Sequence, residues 1–357
     1  MLRLPKILLL VMGVGLLLHG LAAGVLRAGG PALMGAGQFA HWHGPIMVCG
    51  FLGVVISLER ATALKVWFGW AAPLLTGIGM GLFITADNGP TGALMVLAGS
   101  LFHSVNQGLV LARQVNAANG IMLLGALFWV AANLLLLAGY TPPELVLLWM
   151  NFLLLTIIGE RIELSRVLVP KALTPILLLS TLLQLLGGSA MALLDYAMSF
   201  RIYGVGLLLA AVWAWQRDLA FRNYRLPGLS GYVAKALVCG WAWCLLAGIL
   251  MLVFAGPSAG PVYDALLHAI FVGFIFSMIF GHAPIIFPAI LGINIPYRPV
   301  LYLPLGALQL FMLLRIGGDM LAISWLKYWG SMATAIIIPL FLLSMLSLII
   351  SSATVKR

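Results

Sequence analysis

Residues 231–255 read GYVAKALVCGWAWCLLAGILMLVFA, and Lys235 is the one charge among them. An α-helix needs about 20 predominantly apolar residues to cross the hydrocarbon core of a bilayer, so this stretch reads as a transmembrane helix. Outward from it, the same pattern fills the chain. Of 357 residues, 63% are hydrophobic and 8% charged, and the mean hydropathy is +1.13, which lies far outside soluble composition. A conventional soluble enzyme core is excluded. Breaks at Pro, Gly and charge clusters separate spans at 6–26, 43–64, 66–85, 91–111, 117–139 and 144–168, then at 172–194, 197–216, 231–255, 262–290, 298–317 and 330–352. The expected fold class is an all-α integral membrane protein of about 12 transmembrane helices, with residues 1–357 forming a single polytopic transmembrane domain.

Nineteen Lys and Arg against nine Asp and Glu give a formal charge of +10. On a soluble domain that excess points to nucleic acid; here its distribution fits a membrane, and no nucleic acid is expected. With both termini cytoplasmic, the inner segments hold Arg3, Lys6, Arg60, Lys65, Arg113, Arg161, Arg166, Lys171, Arg217, Arg222, Arg225, Lys235, Arg298, Lys356 and Arg357. The outer segments keep Arg27, Arg201, Arg315 and Lys327, a split of 15 to 4. The positive-inside rule selects this orientation, and the expected location is a bacterial inner membrane. The acids Asp87, Glu144, Asp195, Asp264 and Asp319 fall on outer segments. Arg3 and Lys6 precede an apolar run as in a signal peptide, but no small-residue cleavage site follows, so the run reads as a retained first span. Cys49, Cys239 and Cys244 lie in apolar stretches without a Cys-x-x-Cys pair and read as packing residues.

A weak repeat marks the inner ends of the second, sixth and tenth spans. Ile56-Ser57-Leu58-Glu59-Arg60, Ile157-Ile158-Gly159-Glu160-Arg161 and Ile279-Phe280-Gly281-His282 each set a polar residue three after an Ile. The intervals of about four spans suggest three four-helix units in a pseudo-threefold arrangement.

The histidines carry the chemical signal. His19, His41, His43, His103, His268 and His282 all stand within or at the edge of an apolar segment, where an ionisable group is costly and generally serves a site or a pathway. Under the orientation above, His19, His41, His43 and His268 gather toward the outer face, with His268 about 9 Å into the tenth span at 1.5 Å per residue. Such a gathering suits a shared cofactor, and neutral imidazole is the commonest metal ligand. His103 lies near mid-depth and heads a polar stripe with Asn106 and Gln107, three and four residues on. His282 lies near the inner surface before Pro284, where its ring is expected to help satisfy backbone groups freed at the proline. No nucleotide-binding Gly-rich loop, His-Glu-x-x-His motif or nucleophile triad occurs.

His41-Trp42-His43-Gly44-Pro45-Ile46-Met47 with Gly50-Phe51, and His268-Ala269-Ile270-Phe271-Val272-Gly273, resemble the NnrS family of membrane proteins. More distantly, the twelve-span plan is similar to the catalytic subunit of heme-copper oxidases. The resemblance implies haem b with His43 or His41 as one axial ligand and His268 as the other. It also implies copper at a second imidazole group drawn from His41, His43, His268, His19 and His103. It further implies a small gaseous ligand, nitric oxide, and an electron donor in bacterial nitric oxide or respiratory metabolism. Gly44-Pro45 departs from the more polar residues of that family, and the sixth span lacks the histidines of the oxidase copper centre. A proton-coupled or ion transporter that uses intramembrane His and Glu is the alternative.

Overall fold

A computed structural model describes residues 3–85, 89–168, 172–256, 258–293 and 296–354. Asp87, Lys171, Lys356 and Arg357, counted above among the loop and tail charges, lie outside the described residues. Helix makes up nearly all of what is described, and no strand occurs among the described residues. Twelve helices are long and apolar enough to cross a membrane, so the protein is an all-α, multi-pass membrane protein whose helices have lipid as their solvent. In hydrocarbon every backbone polar group must be satisfied internally, and an α-helix achieves this within one segment.

The first compact unit, Met1–Glu163, holds six of these helices. They are α1 (Leu4–Arg27), α2 (Ala40–Leu64), α3 (Trp67–Thr85), α4 (Gly89–Arg113), α5 (Ala117–Leu137) and α6 (Pro142–Leu164), the last ending at the unit boundary. The second, Leu164–Arg357, holds α7 (Leu173–Met191), α8 (Tyr196–Arg217), α9 (Gly228–Phe254), α10 (Pro261–Leu291), α11 (Pro299–Met320) and α12 (Ser324–Ile350). Helix starts carry recognisable caps. The Asn116 side chain accepts from the Asn119 N–H at α5, and Asp195 accepts from the Met198 N–H at α8. At α6 the Glu144 carboxylate reaches back to the Thr141 N–H and hydroxyl, at 2.7 and 2.6 Å. Each cap pairs donors that a helix start leaves unsatisfied.

The sequence segments match these helices closely except at α12, which begins at Ser324 and not at 330. Lys327 made that turn look like an outer loop. Its ammonium instead pairs with Asp319 Oδ1 at 2.6 Å and with Asp264 Oδ2 at 3.6 Å. With the charge neutralised, the helix starts two turns early.

Two helices are not uniformly α. In α2 the stretch Ile46–Gly53 is π-helical, and in α10 the stretch Ala269–Phe274 is π-helical. Such wide turns are rare and frequent at functional sites. A large indole fills the space beside each. Trp129 of α5 lies against Gly53, where an added Cβ would stand 2.5 Å from the ring, and Trp243 of α9 lies against Gly273, where it would stand 2.6 Å away. Glycine is required at both places because the ring occupies the volume a side chain needs.

Pro284 and Pro288 interrupt the C-terminal half of α10. Pro284 lacks an N–H, which frees the carbonyl four residues back, that of Phe280. The Tyr232 hydroxyl donates to that carbonyl at 3.1 Å. The sequence reading gave this task to His282, whose Nδ1 instead bonds to the Met278 carbonyl at 2.7 Å. A helical imidazole reaches the carbonyl four residues back in its own helix, here that of Met278, two residues before the freed one.

Candidate functional site

The six histidines occupy distinct settings. His43, half-buried at the N-terminal end of α2, places Nδ1 2.8 Å from the Gly20 carbonyl of α1. A carbonyl can only accept, so Nδ1 carries the proton and the neutral ring holds its lone pair on Nε2. The ring lies over Gly24, so α1 supports it along one face. His41, by contrast, is exposed and stacks obliquely on Trp42 at 5.0 Å. The two residues left open by the sequence are thus separated by anchoring: His43 is held by a second helix, whereas His41 rests on its neighbour.

His268 stands at the matching place in α10, directly before the π-helical stretch. Its Nδ1 lies 2.8 Å from the Asp264 carbonyl and 3.2 Å from Asp264 Oδ1. Both partners are acceptors, so Nδ1 carries a proton. The Asp264 carboxylate is held in turn by Arg315 Nη2 at 3.0 Å and Lys327 Nζ at 3.6 Å, and Lys327 also pairs with Asp319. Two cations thus meet two carboxylates beside the imidazole. A carboxylate behind an imidazole orients the ring and raises its basicity, as the outer partners of metal-bound histidines do.

Sequence reasoning missed this group because it read Arg315, Lys327, Asp264 and Asp319 as markers of membrane side. The one available signal was that two of the four outer basic residues and two of the outer acids lie on the last three spans. That clustering hints at pairing without specifying partners.

His19 bonds its Nδ1 to the Gly15 carbonyl at 2.8 Å, and its ring meets Phe39 at 5.6 Å. His103 is buried on α4 among aromatic rings, edge-on to Trp129 at 5.5 Å and to Phe152 at 5.8 Å, while those two rings stack at 4.4 Å. Below it, Trp129 Nε1 donates to Cys49 Sγ, Cys49 donates to Asn133 Oδ1, and Trp149 Nε1 donates to the same oxygen. The Cys49 thiol is therefore a donor in a buried chain, a more specific role than the apolar packing read from sequence. In the second unit Trp243 Nε1 donates to Gln309 Oε1 at 2.6 Å, and Gln309 donates to Ser277 Oγ. Each widened helix is thus backed by an indole whose N–H is paired.

Among the described residues no group of three or more His, Cys, Asp or Glu is arranged to hold a metal ion. A copper ion bound by three protein ligands does not fit that arrangement. Haem imposes a different demand, because the porphyrin supplies four nitrogens and each protein ligand need be only one imidazole with its lone pair on Nε2. Four rings bond a carbonyl through Nδ1, those of His19, His43, His268 and His282; His43 and His268 are set apart by the π-helical stretches that follow them.

A family model matches residues 3–350, essentially the whole chain. The protein belongs to the DUF8744 family. That family is described as a domain of unknown function. No curated protein and no solved structure matches the chain. For this DUF8744 protein the histidine geometry is therefore the ground on which a function is proposed.

Proposed function

We propose that the protein is an NnrS-like membrane protein that binds haem b through His43 and through His268, and that it handles nitric oxide or passes electrons in bacterial respiratory metabolism. The observation that carries this reading is a parallel between the two units. In each, a half-buried imidazole with its Nδ1 proton committed to an acceptor stands immediately before a π-helical stretch backed by a Trp on Gly. Bound haem would supply iron that exchanges electrons when both axial positions are filled, or takes a diatomic gas when one is open. The protein's own part is to hold the rings in place. The Gly20 carbonyl does this for His43 and the Asp264 carboxylate for His268. An uncharged gas partitions into the bilayer and needs no polar channel. The orientation belongs to the same proposal, with both termini in the cytoplasm and His43 and His268 toward the outside.

The test is visible absorption of protein purified from a haem-competent host. A Soret band is expected, with loss or a large shift of the band in His43→Ala and in His268→Ala. A colourless, well-folded preparation from such a host would overturn the reading. Should that colourless protein move protons or ions in liposomes, the transporter alternative would take its place, on the strength of the buried polar groups of the first unit.

A further inference from the structure

The first unit also has a polar interior in which His43 takes no part. One layer consists of Gly53 of α2, Trp129 of α5 and Phe152 of α6, with His103 of α4 edge-on to both rings. Seven residues along each of those three helices lie Arg60, Met122 and Gly159. Arg60 Nη2 reaches Met122 Sδ at 3.4 Å, and Met122 lies over Gly159. Seven residues at 1.5 Å each make two turns, so the second layer lies about 10 Å from the first on all three helices. Glu59 and Glu160 belong to this second layer. They are within electrostatic reach of each other and of Arg60, and Arg60 is within reach of His103.

The space between the layers is neither apolar nor internally satisfied. His103, Asn106 and Gln107 are 3%, 0% and 1% exposed, yet His103 Nδ1, Asn106 Oδ1 and Gln107 Nε2 have no hydrogen-bond partner. Gln107 is one turn beyond His103 on the same face of α4, about 6 Å toward the carboxylates. Ser57 and Thr156, at the same level on α2 and α6, bond to the carbonyls of Gly53 and Phe152. An unsatisfied buried polar group costs about 1–3 kcal/mol, and buried water normally meets such groups with two to four bonds each. Asn106 turns to the start of α3, where its Nδ2 donates to the Gly69 carbonyl at 3.0 Å, so the two unpaired atoms on one face of α4, His103 Nδ1 and Gln107 Nε2, are the ones that call for water.

We propose that a water-filled gap lies between the layers and forms a proton path that runs from Glu59 and Glu160, at the C-terminal ends of α2 and α6, past Gln107 to the His103 ring. Its ligand class is water and the protons it carries. The carboxylates exchange protons with the aqueous side at their end of the helices, water held at Gln107 passes them on, and the His103 ring trades its own proton for one from that water. Each exchange delivers one proton to the ring and returns one along the path, so the ring stays neutral. The path involves only the first unit and does not depend on whether iron is bound.

Water-edited solid-state NMR on bilayer-reconstituted protein with nitrogen-labelled histidine tests it, with His103→Ala assigning the signal. The His103 ring should take up magnetisation from mobile water about as fast as the exposed His41 ring. Gln107→Leu should slow that uptake at least about threefold, and the roomier Gln107→Ala should preserve it. The double variant Glu59→Gln with Glu160→Gln should slow solvent exchange of the His103 ring proton about tenfold. A wild-type His103 signal that receives no magnetisation from water would overturn the water-filled gap. Unchanged exchange in the double variant would overturn the route from the carboxylates.

Discussion

His43 and His41 are two residues apart and chemically identical, and what separates them is a single carbonyl. The Gly20 oxygen fixes the His43 tautomer, while His41 has only an indole face and water. His41→Ala should therefore retain the haem band that His43→Ala loses, as read by absorption at equal protein concentration. Gly53 and Gly273 make the complementary point about volume. Gly53→Val would drive two methyls into the Trp129 ring, and overpacking of this kind costs about 1–3 kcal/mol. A lower melting temperature in detergent is expected, without change in helix content by circular dichroism. None of this was legible in the chain. An i to i+2 pair at a helix start leaves both rings free to turn either way, and a glycine in an apolar span looks the same whether an indole or a lipid lies over it.

At the scale of helices, hydropathy carried most of the information, since about 20 apolar residues between polar breaks is a coarse but robust signal. It erred where a charge was neutralised by partners distant in sequence. Lys327 read as a loop residue because Asp264 and Asp319 could not be assigned to it from the sequence. Asp264→Asn keeps the hydrogen bond to His268 but removes the charge facing Arg315 and Lys327. It should lower the melting temperature while leaving the His268 tautomer in place, observable in the nitrogen shifts of labelled histidine. Tyr232→Phe is a sharper test of α10. It strips the Phe280 carbonyl of the donor that stands in for Pro284, and a buried acceptor left unpaired costs about 1–3 kcal/mol. Thermal unfolding of the two proteins side by side would read that difference, and equal midpoints would mean that another donor takes over.

For the whole molecule, the proposed orientation, drawn from the 15-to-4 distribution of basic residues over twelve crossings, can be checked without any cofactor. In a chain with its native cysteines replaced, a thiol at position 194, in the exposed turn between α7 and α8, should react with a membrane-impermeant reagent added to intact cells. One at position 225 should react only after lysis. The reverse pattern would invert the assignment. The candidate site was only half legible at this scale. Imidazoles in lipid announce themselves, but the carbonyls, carboxylates and indoles that orient them come from other helices and leave no local mark. The π-helical stretches illustrate what such hidden geometry does to a chain. In α2, Ile46–Gly53 lies between His43 and Glu59-Arg60, and a wide turn holds more residues than the α turns on either side. It acts as a phase shifter that sets the compass bearing of the imidazole apart from that of the carboxylate. Deleting Leu52 would let that turn close to the α pitch and leave the two flanks nearly in phase, whereas deleting Ile56 from the α-helical part of the same span turns its end by about 100°. Two one-residue deletions in one greasy segment, alike by hydropathy, should then differ in damage, and the melting temperature should fall further for the second.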